Sequence, residues 1–227
     1  MGKRGGTKHL KTVASPRSMF LERKTSVWTV KPAPGPHSAE NAIPLATALR
    51  LSGFAKDKKD VKALLNANSI RIDGRVAKEG KLPIGLMDVV DVEGKNFRVL
   101  IDSKGRLELK ETKNPRMKVC RVERKQRTKG GKLHITLHDG KSLFDYACSV
   151  GDSICVSLPD VKPVERIGLD AGANALIVHG KHAGKFVKIE SVAPGTQTRR
   201  SEVLFTHDGT QFKTPREYVF LIKNDCI

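Results

Sequence analysis

Seven histidines and four cysteines are the residues of this 227-residue chain whose types could ligate a metal or serve a nucleophile. His134 and His138 stand four apart, the spacing at which a helix would offer both to one ion. Here they alternate with Leu133, Ile135 and Leu137, which is strand periodicity. Both then face one side, taken as solvent, about 13 Å apart along the strand, and cannot share an ion. His179 and His182 flank a glycine-bearing loop running to Lys185, where backbone or phosphate contact is expected in place of metal. Cys120, Cys148, Cys155 and Cys226 form no C-x-x-C pair. Reduced, buried or half-buried thiols in a cytosolic protein are therefore expected. Neither phosphate-binding glycine motif occurs, G-x-x-x-x-G-K-[ST] or G-x-G-x-x-G, and the serine-hydrolase elbow G-x-S-x-G is missing too. Carboxylates fall mostly at turns. No catalytic site, cofactor or metal is expected.

The chemistry that remains is charge. Lysine and arginine number 42 against 24 acids, a formal +18, which implies an anionic partner, most simply nucleic acid. The excess runs the whole length: +6 over 1–42, +5 over 43–110, +4 over 111–172 and +3 over 173–227. A long polyanion touching several faces explains that better than one small acidic ligand. A membrane surface would require a basic amphipathic helix or a lipidation site, and neither is present: Gly2 is followed by Lys3, and Gly6 stands where myristoylation wants Ser or Thr. No run of about 18 apolar residues could form a membrane-spanning helix. The opening MGKRGGTKHLKTV lacks the apolar core of a secretory signal. The candidate nucleic-acid-contacting residues are Lys3, Arg4, Lys8, His9, Lys11, Arg17, Arg23 and Lys24, then Arg50, Lys56, Lys58, Lys59 and Lys62, and then Arg71, Arg75 and Lys78. His179, Gly180, Lys181, His182, Gly184 and Lys185 complete the set. Aromatic content is only 5%, so stacking on splayed bases is not expected to be the main mode.

The elements that must position these residues follow from periodicity. Residues 1–42 open with Gly2, Gly5 and Gly6 and close with Pro32, Pro34 and Pro36. They are expected to form an extended basic arm, disordered when free, with the proline run as a stiff spacer aiming it away from the rest. Pro44 and Gly53 bracket a short helix whose inward face is Leu45, Ala48, Leu49 and Ser52. Asp57 with Asp60 resembles a capping box for a second helix carrying Val61, Leu64 and Leu65 inward, and Asn68 can close it. From Ser69 the period changes to strands. Asp73-Gly74 and Glu93-Gly94 mark turns. Residues 111–172 are strand and turn throughout, expected as a small antiparallel barrel or sandwich, and 173–227 as a second small β unit. The fold class is α+β, mostly β.

Two stretches carry a resemblance. IPLATALRLSGFAKDKKDVKALLNANSIRIDGR from Ile43, with VVDV after it, resembles the alpha-L RNA-binding domain. ANALIVHGKHAGKFVKIESV, residues 173–192, resembles a KOW motif, with Gly184 at that motif's characteristic glycine. The two in this order, behind the basic arm, resemble the archaeal and eukaryotic small-subunit ribosomal S4e family, and the length suits its archaeal form. The resemblance implies an arm over 1–42, an alpha-L RNA-binding domain over 43–110, a central β domain over 111–172 and an SH3-like KOW barrel over 173–227. It implies a cytoplasmic structural constituent of the small subunit that binds ribosomal RNA by phosphate and shape contacts, beside other ribosomal proteins, with no membrane and no small-molecule substrate. Two alternatives stay open: a KOW-containing transcription or translation factor, and an RNA-modification guide domain. One departure is visible. Met87, before Asp88, stands where glycine is frequent, which bears on the turn geometry there.

Overall fold

The structure of the protein is a computed structural model that describes residues 9–19, 21–22, 24–196, 200–207 and 210–223. Short strands β1 (Leu10–Lys11) and β2 (Trp28–Thr29) pair antiparallel near the N-terminus. β3 (Ala42–Pro44) then leads into α1 (Leu45–Leu51) and α2 (Lys58–Asn66). Pro44 ends the strand and caps the helix: its fixed φ of −60° suits both. Leu45, Ala48 and Leu49 are buried as their spacing requires, while Ser52, expected inward, is exposed beyond the last turn. Gly53 supplies the left-handed residue after α1, with φ +79°. Asp57 and Asp60 form the reciprocal capping box that starts α2, and Asn68 at φ +54° closes it.

The helices cover one sheet, ordered β5-β4-β7-β8-β9. Its strands are β4 (Ile70–Ile72), β5 (Arg75–Val76), β7 (Val89–Val92), β8 (Lys95–Ile101) and β9 (Leu107–Glu111), and β6 (Pro83–Gly85) pairs separately with β3. Two-residue turns at Asp73-Gly74 and Glu93-Gly94 have both residues left-handed, φ +51°/+80° and +52°/+84°. Their twist matches that of the flanking strands. Met87 takes φ +67° while fully buried, so it adopts the conformation a glycine would.

A second sheet has the order β12-β11-β10-β13-β14. β10 (Met117–Arg127) is long enough to change partners part-way. Its first half pairs with β13 (Ser153–Ser157) and its second with β11 (Leu133–Leu137), across a register shift between Val122 and Arg124. β12 (Ser142–Phe144) and β14 (Lys162–Ile167) form the edges. Cys120, Cys148 and Cys155 are buried; Cys226 lies outside the described residues. In the third sheet, β15 (Asn174–Ile177), β16 (Phe186–Ala193), β17 (Glu202–His207) and β18 (Thr210–Pro215) run as a meander. β19 (Val219–Leu221) returns to β15, giving the order β18-β17-β16-β15-β19.

Two expectations are corrected. The segment from His9 to Asn41 is not a free arm. Met19 is buried and belongs to the main core, with Leu10 and Leu21 against it. The Leu107 amide donates to the Ser18 carbonyl at 2.9 Å, and the Ala33 amide to the Lys81 carbonyl at 2.9 Å. The proline run does not hold the segment away: Gly35 lies so close to Pro83 that a Cβ there would meet its ring at 2.5 Å. Apolar side chains among the charges overcame the entropy of ordering. Nor are the expected bounds at 110 and 172 clean: one cluster stays within 111–172 and the buried residues of another within 173–227, but the largest crosses both. Val119, Cys155, Leu176, Phe220 and Ile222 share one cluster with Leu45, Ile70 and Val90.

Candidate nucleic-acid interface

The helix pair turns its apolar stripe to the sheet, so its cations point out. Arg50, Lys56, Lys58, Lys59 and Lys62 are all exposed, as are Arg71 and Arg75 on the β4–β5 hairpin and Lys78 after it. The N-terminal segment lies beside the helices and leaves a groove of about 1090 Å³ between them. Arg50, Lys56, Lys58, Lys62, Lys78 and His9 all line it, joined by Lys81, which the sequence did not single out. Lys59, Arg71, Arg75, Lys11, Arg17 and Lys24 are exposed but lie away from the groove lining. Lys3, Arg4, Lys8 and Arg23 lie outside the described residues.

The loop after β15 is docked against the body. His182 stacks on Phe212, with centroids 4.2 Å apart, and His179 meets the Tyr218 ring edge-on at 5.4 Å. Burial, then the Arg121 guanidinium, pushes the His179 pKa down, which favours a neutral ring. Gly180 and Lys181 are exposed, Lys185 half-buried. Gly184 is a correction. It takes φ +79°, and a Cβ there would stand 2.1 Å from the Asp102 carbonyl oxygen. The space the glycine opens is filled by the β8–β9 turn of the same chain, so its role is packing between sheets and not approach of RNA.

His138 is a second correction. It follows the last residue of β11, so the strand alternation no longer governs it, and its ring is not on the solvent face. It packs edge-on against Phe220 at 5.2 Å and against His37 at 5.7 Å. Nδ1 accepts from the Arg121 amide (3.2 Å) and Nε2 donates to the Leu86 carbonyl (3.1 Å), which requires the neutral ring. Burial, then the Lys118 ammonium, lowers its pKa to about 4.

Beside it lies a cluster that the sequence did not reveal. The Lys118 ammonium, fully buried, donates to Asp73 (2.8 Å), Asp88 (2.6 Å) and Asp139 (2.9 Å). Lys141 bonds Asp73 at 2.6 Å, and His37 lies 2.9 Å from Asp88. Burial alone would raise the Asp88 and Asp139 carboxyls. Lys118, with His37 at Asp88 and His138 and Lys141 at Asp139, outweighs it and holds both well below the usual carboxylate range. Cys120, His138 and Asp139 come within metal-ligand reach of one another. Each is already engaged: Asp139 by Lys118, His138 by two backbone groups, and the Cys120 thiol is pushed up by burial, so the geometry is that of an ionic junction.

The family model described as Ribosomal family S4e matches residues 93–162, and that described as the RS4NT (NUC023) domain matches residues 4–40. Small ribosomal subunit protein eS4 of Methanocaldococcus jannaschii is 35% identical over 238 positions, covering 99% of this chain and 98% of the relative. The chain belongs to the ribosomal S4e family. The eS4 protein of Methanococcus vannielii is 36% identical with the same coverage. The crystal structure of the 30S ribosomal protein S4e from Thermoplasma acidophilum superposes with a TM-score of 0.68 at 27% identity, covering 80% of this chain and 94% of that one.

In this S4e chain a further basic feature was not singled out from the sequence. The distal half of β10 and the turn to β11 carry Arg124, Arg127, Lys129 and Lys132, all exposed on a two-stranded ribbon. The signal is present in the run RVERKQRTKGGK. Its turn is legible there, but only the paired strands show that the cations flanking it are held on one ribbon.

Proposed function

We propose that the chain is a structural constituent of the small ribosomal subunit, binding ribosomal RNA through phosphate and shape contacts and stabilising its fold. One observation carries the reading. Arg50, Lys56, Lys58, Lys59, Lys62, Arg71, Arg75 and Lys78 are all exposed, and none is in an ion pair with another described residue. Cations held on a rigid helix pair and hairpin, with no carboxylate to satisfy them, suit the phosphates of a folded RNA. A-form RNA hides its base edges in a deep groove, so such contacts read shape. The ribbon cations Arg124, Arg127, Lys129 and Lys132 extend the surface. The exposed Lys181 adds to it. In this reading residues 43–110 form the principal RNA-binding unit, with 111–172 and 173–227 bracing it. The protein works in the cytoplasm with ribosomal RNA and neighbouring ribosomal proteins as partners, and performs no catalysis.

Sedimentation tests it. A tagged copy should travel with small subunits through a moderate-salt wash, whereas a transcription or translation factor would wash off into the light fractions. Binding of the purified protein to small-subunit RNA should also weaken steeply with salt. Ten phosphate contacts give a slope of roughly −7 to −9 in log–log form, and a flat response would overturn the electrostatic account.

A further inference from the structure

The groove beside the helix pair has a feature that phosphate binding does not use. Trp28, the only tryptophan of the chain, lines it while 56% exposed. A side chain of this size is ordinarily covered. Here one flank of the indole meets His9, with ring centroids 5.6 Å apart and planes 56° from parallel, and much of the rest stays in solvent. The residue is held in place: Trp28 pairs with Lys11 through the β1–β2 ladder, and the Thr12 amide donates to the Val27 carbonyl at 3.0 Å. The lining also carries Arg50, Lys56, Lys58, Lys62, Lys78 and Lys81, with Glu22 and Glu79 as the groove's only acids among the described residues.

An exposed aromatic face in a groove lined with cations is the arrangement that holds single-stranded nucleic acid: the ring takes a base and the cations take the phosphates on either side. A fully paired helix offers no free base face for such a ring. At about 1090 Å³, the cleft is slightly larger than the roughly 300–1,000 Å³ typical of small-ligand sites. We propose that this groove holds an unpaired stretch of RNA, with one base stacked on Trp28 and the adjoining phosphates on Arg50, Lys58 and Lys62. The proposal rests on the reading that the chain binds RNA, and it adds a position where the protein distinguishes an open strand from a helix.

The test uses the full chain with two probes, a short single-stranded oligoadenylate and an RNA duplex of the same strand length. Stacking should quench the emission of Trp28 on titration with oligoadenylate. Trp28→Ala should weaken oligoadenylate binding by about tenfold and leave duplex binding unchanged, while Trp28→Phe keeps most of the affinity. Because the indole is exposed, both variants should melt like the parent. Lys58→Gln with Lys62→Gln should lower the salt slope for oligoadenylate by roughly 1.4, since each phosphate neutralised on a single strand supplies about 0.7. Unchanged emission at saturating oligoadenylate, or an equal loss on both probes in Trp28→Ala, overturns the stacking proposal and leaves RNA binding standing. Failure to bind either probe overturns both.

Discussion

Lys118 sits in the interior with its ammonium among three carboxylates, and each donor–acceptor distance is below 3 Å. Bringing such a charge out of water costs several kcal/mol, which the surrounding hydrogen bonds must return. Removing one side is therefore worse than removing both. Lys118→Met should destabilise the protein by about 3–5 kcal/mol, read as a lower urea midpoint. Adding Asp88→Asn to Lys118→Met should recover part of that loss. His138 gives a pH-dependent prediction. Its folded pKa, about 4, lies below the ordinary value near 6.5, so between these limits the unfolded chain binds the extra proton. Stability from this group is present above pH 6.5 and is lost as pH falls toward 4, by up to roughly 3 kcal/mol. Urea unfolding at pH 7 and pH 5 should show the loss, and His138→Gln should flatten it. Asp88 and Asp139 act lower: their contribution is present above the ordinary carboxylate value and fades only as pH falls below it. None of this was legible in the sequence. Asp73 and Asp139 each precede a glycine and looked like turn residues, which they are. Nothing local to Lys118, in a strand of alternating polarity, tells that three distant carboxylates converge on it.

The short elements were far easier to anticipate. Asp57–Asp60, Asn68, Asp73-Gly74 and Glu93-Gly94 are each decided by a few consecutive residues, and each appears where those residues place it. Gly184 marks the limit of such reasoning. The need for glycine was visible, but its reason, the Asp102 carbonyl at the position of a Cβ, comes from a distant part of the chain. The β10–β11 ribbon belongs to the same scale. Its outer cations sit on paired strands and a tight turn, where Gly131 takes φ +77°. They make no contribution to the core, which ends at Val122 and Ile135. Replacing Arg124, Arg127, Lys129 and Lys132 with Gln should leave the melting temperature unchanged. It should weaken RNA binding by about 1 kcal/mol for each charge-assisted hydrogen bond removed, measured by filter binding at fixed salt.

At the scale of the molecule, the largest core draws on all three sheets and the N-terminal segment, while the second and third sheets keep smaller cores of their own. The apolar residues come in short runs, and they gather into three clusters of unequal size. Long-range packing builds the largest: Val119 from the second sheet, and Leu176 and Phe220 from the third, belong to one cluster with Leu45 of α1 and Ile70 of the first sheet. The N-terminal segment was misjudged for a related reason. Its composition is that of a tail, yet Met19 and His37 are buried, at 4% and 7% exposure. Deleting residues 1–41 should accordingly lower the melting temperature by several degrees, since it uncovers core around Met19 and strips His37 from Asp88. Differential scanning calorimetry of the full and shortened chains would show it.

The long reach of Lys118 has a consequence for biosynthesis. Its partners Asp73 and Asp88 precede it by 45 and 30 residues. A nascent chain grows from its N-terminus at about 5–20 residues per second, so Asp88 exists for roughly 1.5–6 s before the ammonium that neutralises it has been added. Until then, closing the first sheet would bury two carboxylates without their principal cation. The first half of the protein is thus poised to wait for the second. A fragment ending at Arg116 should remain open to protease and exchange its amides freely, whereas one extended through Phe144, which adds Lys118, Asp139 and Lys141, should gain protection across Ile70–Ile101 by hydrogen exchange. Folding of this small-subunit protein would then be gated by a single lysine, half-way along its message.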